Sequence, residues 1–257
     1  MKQRVITAII LVVLFLPCVI VNGIPFKILM AFIGVMATYE LLSITKEPKP
    51  HFYLYGVLGV YILGSLFFSK GLLVSNMFFV IYMVILLTCG IFDAGMPFLR
   101  ISYYFTSATL VALGLHAIYY FRTALDIRYV IFLALATLGA DTFAYFVGRA
   151  IGKHKLNPRL SPKKTIEGSI GGIVCGGLLG LAYAYCVQIP YSLPYLALMS
   201  FVLATTGQIG DLTFSSIKRT FEVKDYSQIF PGHGGVLDRF DSIIFNSMIL
   251  GFLLTLL

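Results

Sequence analysis

Between Ser216 and Asp241 the chain concentrates residues able to handle a metal ion and phosphate groups. The strings are Ser216-Ile217-Lys218-Arg219, Lys224-Asp225 and Pro231-Gly232-His233-Gly234-Gly235-Val236-Leu237-Asp238-Arg239-Phe240-Asp241. These 26 residues hold four cations, four carboxylates, one histidine and three glycines, in a chain that is otherwise 59% hydrophobic. Asp238 and Asp241 are three apart and share a face if helical. Two carboxylates so placed repel unless a cation lies between them, and Mg²⁺ commonly takes one or two carboxylates together with substrate phosphates. The spacing suits equally a pair of solvated acids at a helix N-terminus. Asp211, after Gly207-Gln208-Ile209-Gly210, tips the balance, because a charge near the end of an apolar segment is expensive and marks a functional candidate. If the apolar segments flanking the polar block lie side by side, Asp211 faces Asp238 and Asp241. The mixture reads as an enzyme working on a phosphorylated substrate at a membrane surface.

Two further strings support that chemistry. In the 231–235 loop, glycines let backbone N–H groups approach phosphate, and adjacent helix starts favour anions. His233 would bind phosphate, orient a carboxylate or hold the loop. Upstream, Arg149, Lys153, His154, Lys155 and Arg159 precede Ser161-Pro162-Lys163-Lys164-Thr165-Ile166-Glu167-Gly168. A plain basic loop explains the charges but not the ordered string, which looks like a phosphate-gripping turn. Asp141, beside Thr142 and Tyr145, is another acid in an apolar run; structural pairing and a polar headgroup cavity are equal readings. Glu40 is expected at the membrane interface.

The elements that must position these residues are membrane spans. Charged residues make up 12% of the chain, against roughly 25% in soluble proteins, and mean hydropathy is +0.92. Apolar runs of about 20 residues, enough for a ~30 Å hydrocarbon core, predict an all-α polytopic protein. Nine spans are expected, near 4–22, 26–44, 52–69, 72–92, 101–121, 129–149, 168–188, 193–213 and 240–257. The first is read as a retained helix rather than a cleaved signal, since Pro17, Cys18 and Asn22-Gly23 make a poor cleavage site. The connections after spans 2, 4, 6 and 8, with the N-terminus, carry fifteen of the nineteen Lys and Arg. That bias places the N-terminus and both long polar connections in the cytoplasm. One integral membrane domain, 1–257, is expected, with spans 1–5 over 1–125 and the chemical motifs over 126–257.

The net charge of +8 faces anionic headgroups and soluble phosphates rather than nucleic acid. Cys18, Cys89, Cys175 and Cys186 sit in apolar runs without metal or redox spacing, and read as packing residues. Gly168, Gly172, Gly176 and Gly180 recur every fourth residue along span 7. They form a ridge on which another helix can approach closely, for packing within the chain or for a subunit contact.

Together these strings resemble the phosphatidate cytidylyltransferase family, the CDP-diacylglycerol synthases. The family pattern of Ser-x-x-Lys-Arg, Lys-Asp and Pro-Gly-His-Gly-Gly-x-x-Asp-Arg-x-Asp stands here without departure as Ser215–Arg219, Lys224-Asp225 and Pro231–Asp241. The strings Asp141–Tyr145, Ser161–Gly168 and Gly210-Asp211-Leu212 also look like family features. The likeness covers about 139–245 in motif terms; the first five spans agree only in being hydrophobic.

The resemblance implies transfer of the cytidylyl group of CTP to phosphatidic acid, giving CDP-diacylglycerol and pyrophosphate, dependent on Mg²⁺. Under it, Asp211, Asp238 and Asp241 hold the metal, with room for a second, monovalent cation such as K⁺. Lys218, Arg219 and Lys224 hold triphosphate or lipid phosphate, Asp225 ligates metal or organises those cations, and His233 supports the loop. Ser161, Lys164, Thr165 and Glu167 line the substrate site with Gly234 and Gly235. A homodimer in the cell membrane, with its site facing the cytoplasm, is implied. The rivals are a CTP-dependent lipid kinase, which would release CDP, and a transporter using Asp141 and Asp211 as ion-coupling acids. The transporter predicts internally repeated halves, and the sequence shows none.

Overall fold

The computed structural model of the protein describes residues 13–45, 49–230, 232 and 234–256. Helical residues 13–21 form α1. There follow α2 (Gly23–Ser43), α3 (Phe52–Phe68), α4 (Asn76–Phe92), α5 (Phe98–Tyr120) with a π-helical extension (Phe121–Leu125), and α6 (Ile127–Ile151). A two-stranded hairpin, β1 (Lys155–Asn157) and β2 (Ser161–Thr165), leads into α7 (Ile166–Cys186), α8 (Leu193–Thr220) and α9 (Leu237–Thr255).

Five of these helices, α2, α5 with its extension, α6, α7 and α8, are long and apolar enough to cross a membrane. Helices α3 and α4 are apolar but have 17 residues each, about 25 Å at 1.5 Å per residue. Residues 4–12 of the first expected span lie outside the described residues. The helical fold class stands, with one addition and one correction. Lys155 pairs with Thr165 and Asn157 with Ser161 in an antiparallel hairpin. Helix α8 also runs well past the expected end at 213, to Thr220, so Ser216, Lys218 and Arg219 are helical rather than part of a loop.

The chain divides into two compact units, 1–123 with 221–240, and 124–220 with 241–257. In the first, α2, α3 and α5 share a core that includes Phe26, Ile33, Leu58, Ile62, Val111 and Leu115. Buried phenols find partners, as polar groups away from water must. Tyr82 stacks on Tyr61 at 3.9 Å and donates to the Tyr104 carbonyl at 2.9 Å. Tyr103 donates to the Leu41 carbonyl at 2.8 Å, tying the start of α5 to the end of α2. The returning segment packs on the same end. The Phe221 ring meets Tyr103 edge-on at 4.6 Å, and Ser43 Oγ donates to the Tyr226 carbonyl at 3.4 Å.

In the second unit the glycine ridge of α7 is filled by α6 of the same chain. A Cβ at Gly172 would lie 2.5 Å from the Ala140 carbonyl oxygen, one at Gly176 2.6 Å from the Ala140 nitrogen, and one at Gly168 2.6 Å from the Ala144 oxygen. Backbones this close require a small residue at each crossing. The ridge is therefore intramolecular packing.

Candidate active site

Four elements of the second unit bring charged side chains together. The Lys164 ammonium, from β2, lies 2.5 Å from Asp211 Oδ2 on α8 and 4.0 Å from Asp141 Oδ1 on α6. Asp241, the fifth residue of α9 and 8% exposed, is within electrostatic reach of Asp211, Lys218 and Asp141. Ser242, the next residue, donates its N–H to Asp241 Oδ1 at 2.7 Å. Three acids beside two lysines form a polar centre in which the cations offset part of the repulsion that acids alone would suffer.

Helix packing sets this geometry. Gly207 and Gly210 make the face of α8 on which α9 rides. A Cβ at 210 would lie 2.6 Å from the Phe245 Cβ, and one at 207 2.8 Å from Asn246 Nδ2. The fully buried Asn246 donates to Thr137 Oγ1 and to the Leu203 carbonyl, both at 2.7 Å. It accepts from Thr206 Oγ1 at 2.6 Å, so one amide ties α6, α8 and α9. Helices α8 and α9 thus lie side by side, which brings Asp211 to Asp241.

Beside the acids is a cavity of about 240 Å³, lined by Asp141, Tyr145, Arg149, Lys164, Ser169 and Gln208 among others. Ser169 donates to Gln208 Oε1 at 2.6 Å, and Gln208 Nε2 returns a bond to the Ser169 carbonyl at 3.1 Å. The hairpin that delivers Lys164 is held by its own residues. Thr165 Oγ1 accepts from the Gly168 N–H at 3.2 Å as the N-cap of α7. The Glu167 carboxylate accepts from the amides of Lys153 and His154 and lies 2.6 Å from His154 Nδ1. Thr165 and Glu167, expected to line a substrate site, thus serve the hairpin; Thr165 also borders the cavity. Ser161 opens β2, three residues before Lys164.

The glycine loop belongs to the first unit, and its Gly234 and Gly235 amides are taken by acceptors of the protein itself. The Gly234 N–H donates to the Phe230 carbonyl at 3.1 Å and the Gly235 N–H to Asp238 Oδ2 at 2.8 Å. Val236 and Leu237 donate to Glu40 Oε1 and Oε2, each at 2.7 Å. Gly232 and Gly234 take φ of +77° and +83°, conformations that favour glycine. These glycines therefore serve the turn, and the Gly234 and Gly235 amides, expected near phosphate, bond protein acceptors. Asp238 Oδ2 also accepts from the Tyr226 N–H at 2.8 Å.

Of the remaining expected residues, Lys218 is buried on α8, Arg219 is exposed in its last turn, and Lys224 and Asp225 are exposed on the returning loop. His233 lies outside the described residues. Asp141 and Glu40 take on more than their sequence context indicates. Asp141 left two open readings and proves to be part of the charged centre. Glu40 was expected at the interface and is fully buried. In both cases the available signal was an acid in an apolar run.

Among the described residues no three of His, Cys, Asp and Glu form a ready-made metal cage. The donor chemistry nonetheless fits Mg²⁺, which takes carboxylate oxygen and commonly uses only one or two such groups with substrate phosphates.

A helical membrane protein with acids, lysines and a cavity on its apolar helices has the features of an enzyme for charged substrates at a bilayer. Residues 2–257 match the pattern of the Cytidylyltransferase family. The chain is 36% identical over 269 positions to a protein named phosphatidate cytidylyltransferase from Bacillus subtilis (strain 168), covering 100% of this chain and 98% of the relative. It is 34% identical over 264 positions to one of the same name from Staphylococcus haemolyticus (strain JCSC1435), covering 99% of each. The chain belongs to the cytidylyltransferase family.

Proposed function

We propose that this chain transfers the cytidylyl group of CTP to phosphatidic acid, giving CDP-diacylglycerol and pyrophosphate with the assistance of Mg²⁺. The observation that carries the reading is the charged centre of Asp141, Lys164, Asp211 and Asp241 beside a cavity, in a chain whose relatives bear the name of that activity. A phosphate oxygen of the lipid attacks the α-phosphorus of CTP. The bond from that phosphorus to the bridging oxygen breaks, and pyrophosphate departs with the electron pair. The substrate supplies its own nucleophile, so the protein's work is to position reactants and offset charge.

Asp211 and Asp241 are assigned to hold the metal, and Asp238, with one oxygen committed to two loop amides, to hold the loop. Bound there, Mg²⁺ would offset charge on the triphosphate and on the leaving group. A monovalent cation such as K⁺ would use the same class of oxygen donor. Lys164 and Lys218 are assigned to substrate phosphate within the second unit, with Arg219 and Lys224 contributing positive charge from exposed positions. The nine helices are proposed to span the cell membrane with the N-terminus in the cytoplasm, on the fifteen-to-four cation bias. A homodimer is carried over from the family resemblance.

The test is turnover by purified protein in detergent with phosphatidic acid, Mg²⁺ and CTP labelled at the α-phosphate, with Asp241→Ala alongside. Label in a chloroform-soluble product, lost in the variant while the fold persists, supports the proposal. Label recovered as CDP would replace it with lipid phosphorylation.

A further inference from the structure

We infer that Glu40 is a positioning residue for the loop before α9, acting as the built-in anion of that helix's N-terminus. It lies on α2, in the half of the sequence that carries none of the chemical strings, and is 0% exposed. Its Oε1 accepts from Ser227 Oγ at 2.6 Å and from the Val236 N–H at 2.7 Å. Its Oε2 accepts from the Leu237 N–H at 2.7 Å. A Cβ at Gly235 would collide with Glu40 Oε1, so the glycine is what admits the carboxylate.

A carboxylate removed from water needs hydrogen-bond donors around it, and a helix N-terminus supplies amides with a favourable dipole. Asp238 works from the other side, taking the amides of Tyr226 and Gly235. Two carboxylates thus pin one turn of loop between them, and Glu40 carries the restraint back to a membrane helix. Its partners sit about 190 positions further along the chain, so local sequence cannot supply this order. The same contacts exclude substrate phosphate from these amides, which leaves phosphate to the lysines and arginines. Helix α9 carries Asp241 one turn beyond Asp238, so the start that Glu40 fixes is the start of a helix bearing a proposed metal ligand. Its effect on turnover rests on the proposed cytidylyl transfer; its ordering of the loop does not.

The experiment compares wild type with Glu40→Gln, which keeps the size and one acceptor but turns an NH₂ towards the amide donors. Amide hydrogen exchange and steady-state kinetics are measured on the same preparations of full-length protein. Exchange in peptides covering 225–237 is expected to quicken about tenfold or more, with α6–α8 unchanged. The kcat per folded enzyme is expected to fall by about tenfold or more, with KM for CTP moved less than about threefold. Ser227→Ala, which removes one donor of the three, should show the same pattern more weakly and serves if Glu40→Gln does not fold. Unchanged exchange overturns the inference, and so does faster exchange with unchanged kcat. If wild type leaves phosphatidic acid and CTP unconverted, the proposed function fails, and exchange alone then decides whether Glu40 orders the loop.

Discussion

Lys164 Nζ lies 2.5 Å from Asp211 Oδ2, so a cation carried by a short hairpin is the counter-charge of an acid inside an apolar helix. Removing one partner of such a pair leaves the other uncompensated. Lys164→Met is therefore expected to destabilise the protein by about 1–3 kcal/mol. Adding Asp211→Asn should recover part of that loss, since the orphaned charge is gone. Thermal unfolding of the four proteins of this cycle in one detergent gives the coupling, expected at about 1–2 kcal/mol. Strict additivity would mean that the pair contributes nothing to the fold.

The same pairing predicts how the protein responds to loss of metal. Because Lys164 already balances Asp211, chelation of divalent cations should stop turnover yet leave the unfolding temperature nearly in place. Restoring Mg²⁺ should restore the rate. Asp241→Asn is expected to reduce kcat by about 10²–10³-fold, the scale of removing one electrostatic group from a preorganised site, and to raise the Mg²⁺ concentration needed for half-maximal rate. Full activity in the presence of chelator would take Mg²⁺ out of the proposal.

The chemistry was legible in the sequence where a charge stood in an apolar run, because such a residue has few explanations other than a site or a partner. Asp211 stood out this way and Asp241 by its three-residue spacing from Asp238, and the structure places the two within electrostatic reach of one another. Glu40 carries the same signal, but its partners lie 196 and 197 residues away and no local pattern points to them. The glycine loop failed for the opposite reason. Its composition suits phosphate binding and tight turning alike, and only the fold brings Asp238 to the Gly235 amide and Glu40 to those of Val236 and Leu237. The extension of α8 to Thr220 was hidden because Lys218 and Arg219 look like a loop on hydropathy, although cations are favourable in a helix's last turn. The π-helical segment after α5 left no sequence signal at all.

Helix α7 offers a test of packing that is separate from the chemistry. Gly172→Val should destabilise by about 1–3 kcal/mol, because its Cβ would lie 2.5 Å from the Ala140 oxygen and neither backbone can yield without parting the helices. Ile170, on the same helix and 58% exposed, should tolerate alanine within about 0.5 kcal/mol. Equal effects at the two positions would show that the ridge does not set how closely α6 and α7 approach. Turnover should follow the same order, since α6 carries Asp141.

Asn246 joins packing to the site, because its one side chain binds Thr137, Leu203 and Thr206 on the two helices that carry Asp141 and Asp211. Asn246→Leu keeps the volume but leaves the Thr137 and Thr206 hydroxyls without this partner, a loss of about 1–3 kcal/mol. Helices that are no longer pinned let the acids drift, so turnover per folded enzyme should also fall, by about tenfold. Phe252→Leu, at an exposed position on the same helix, provides the comparison and should change neither quantity. Measured together, unfolding temperature and kcat separate the two effects: a lowered unfolding temperature with kcat intact would confine Asn246 to packing and detach it from the alignment of Asp211 with Asp241.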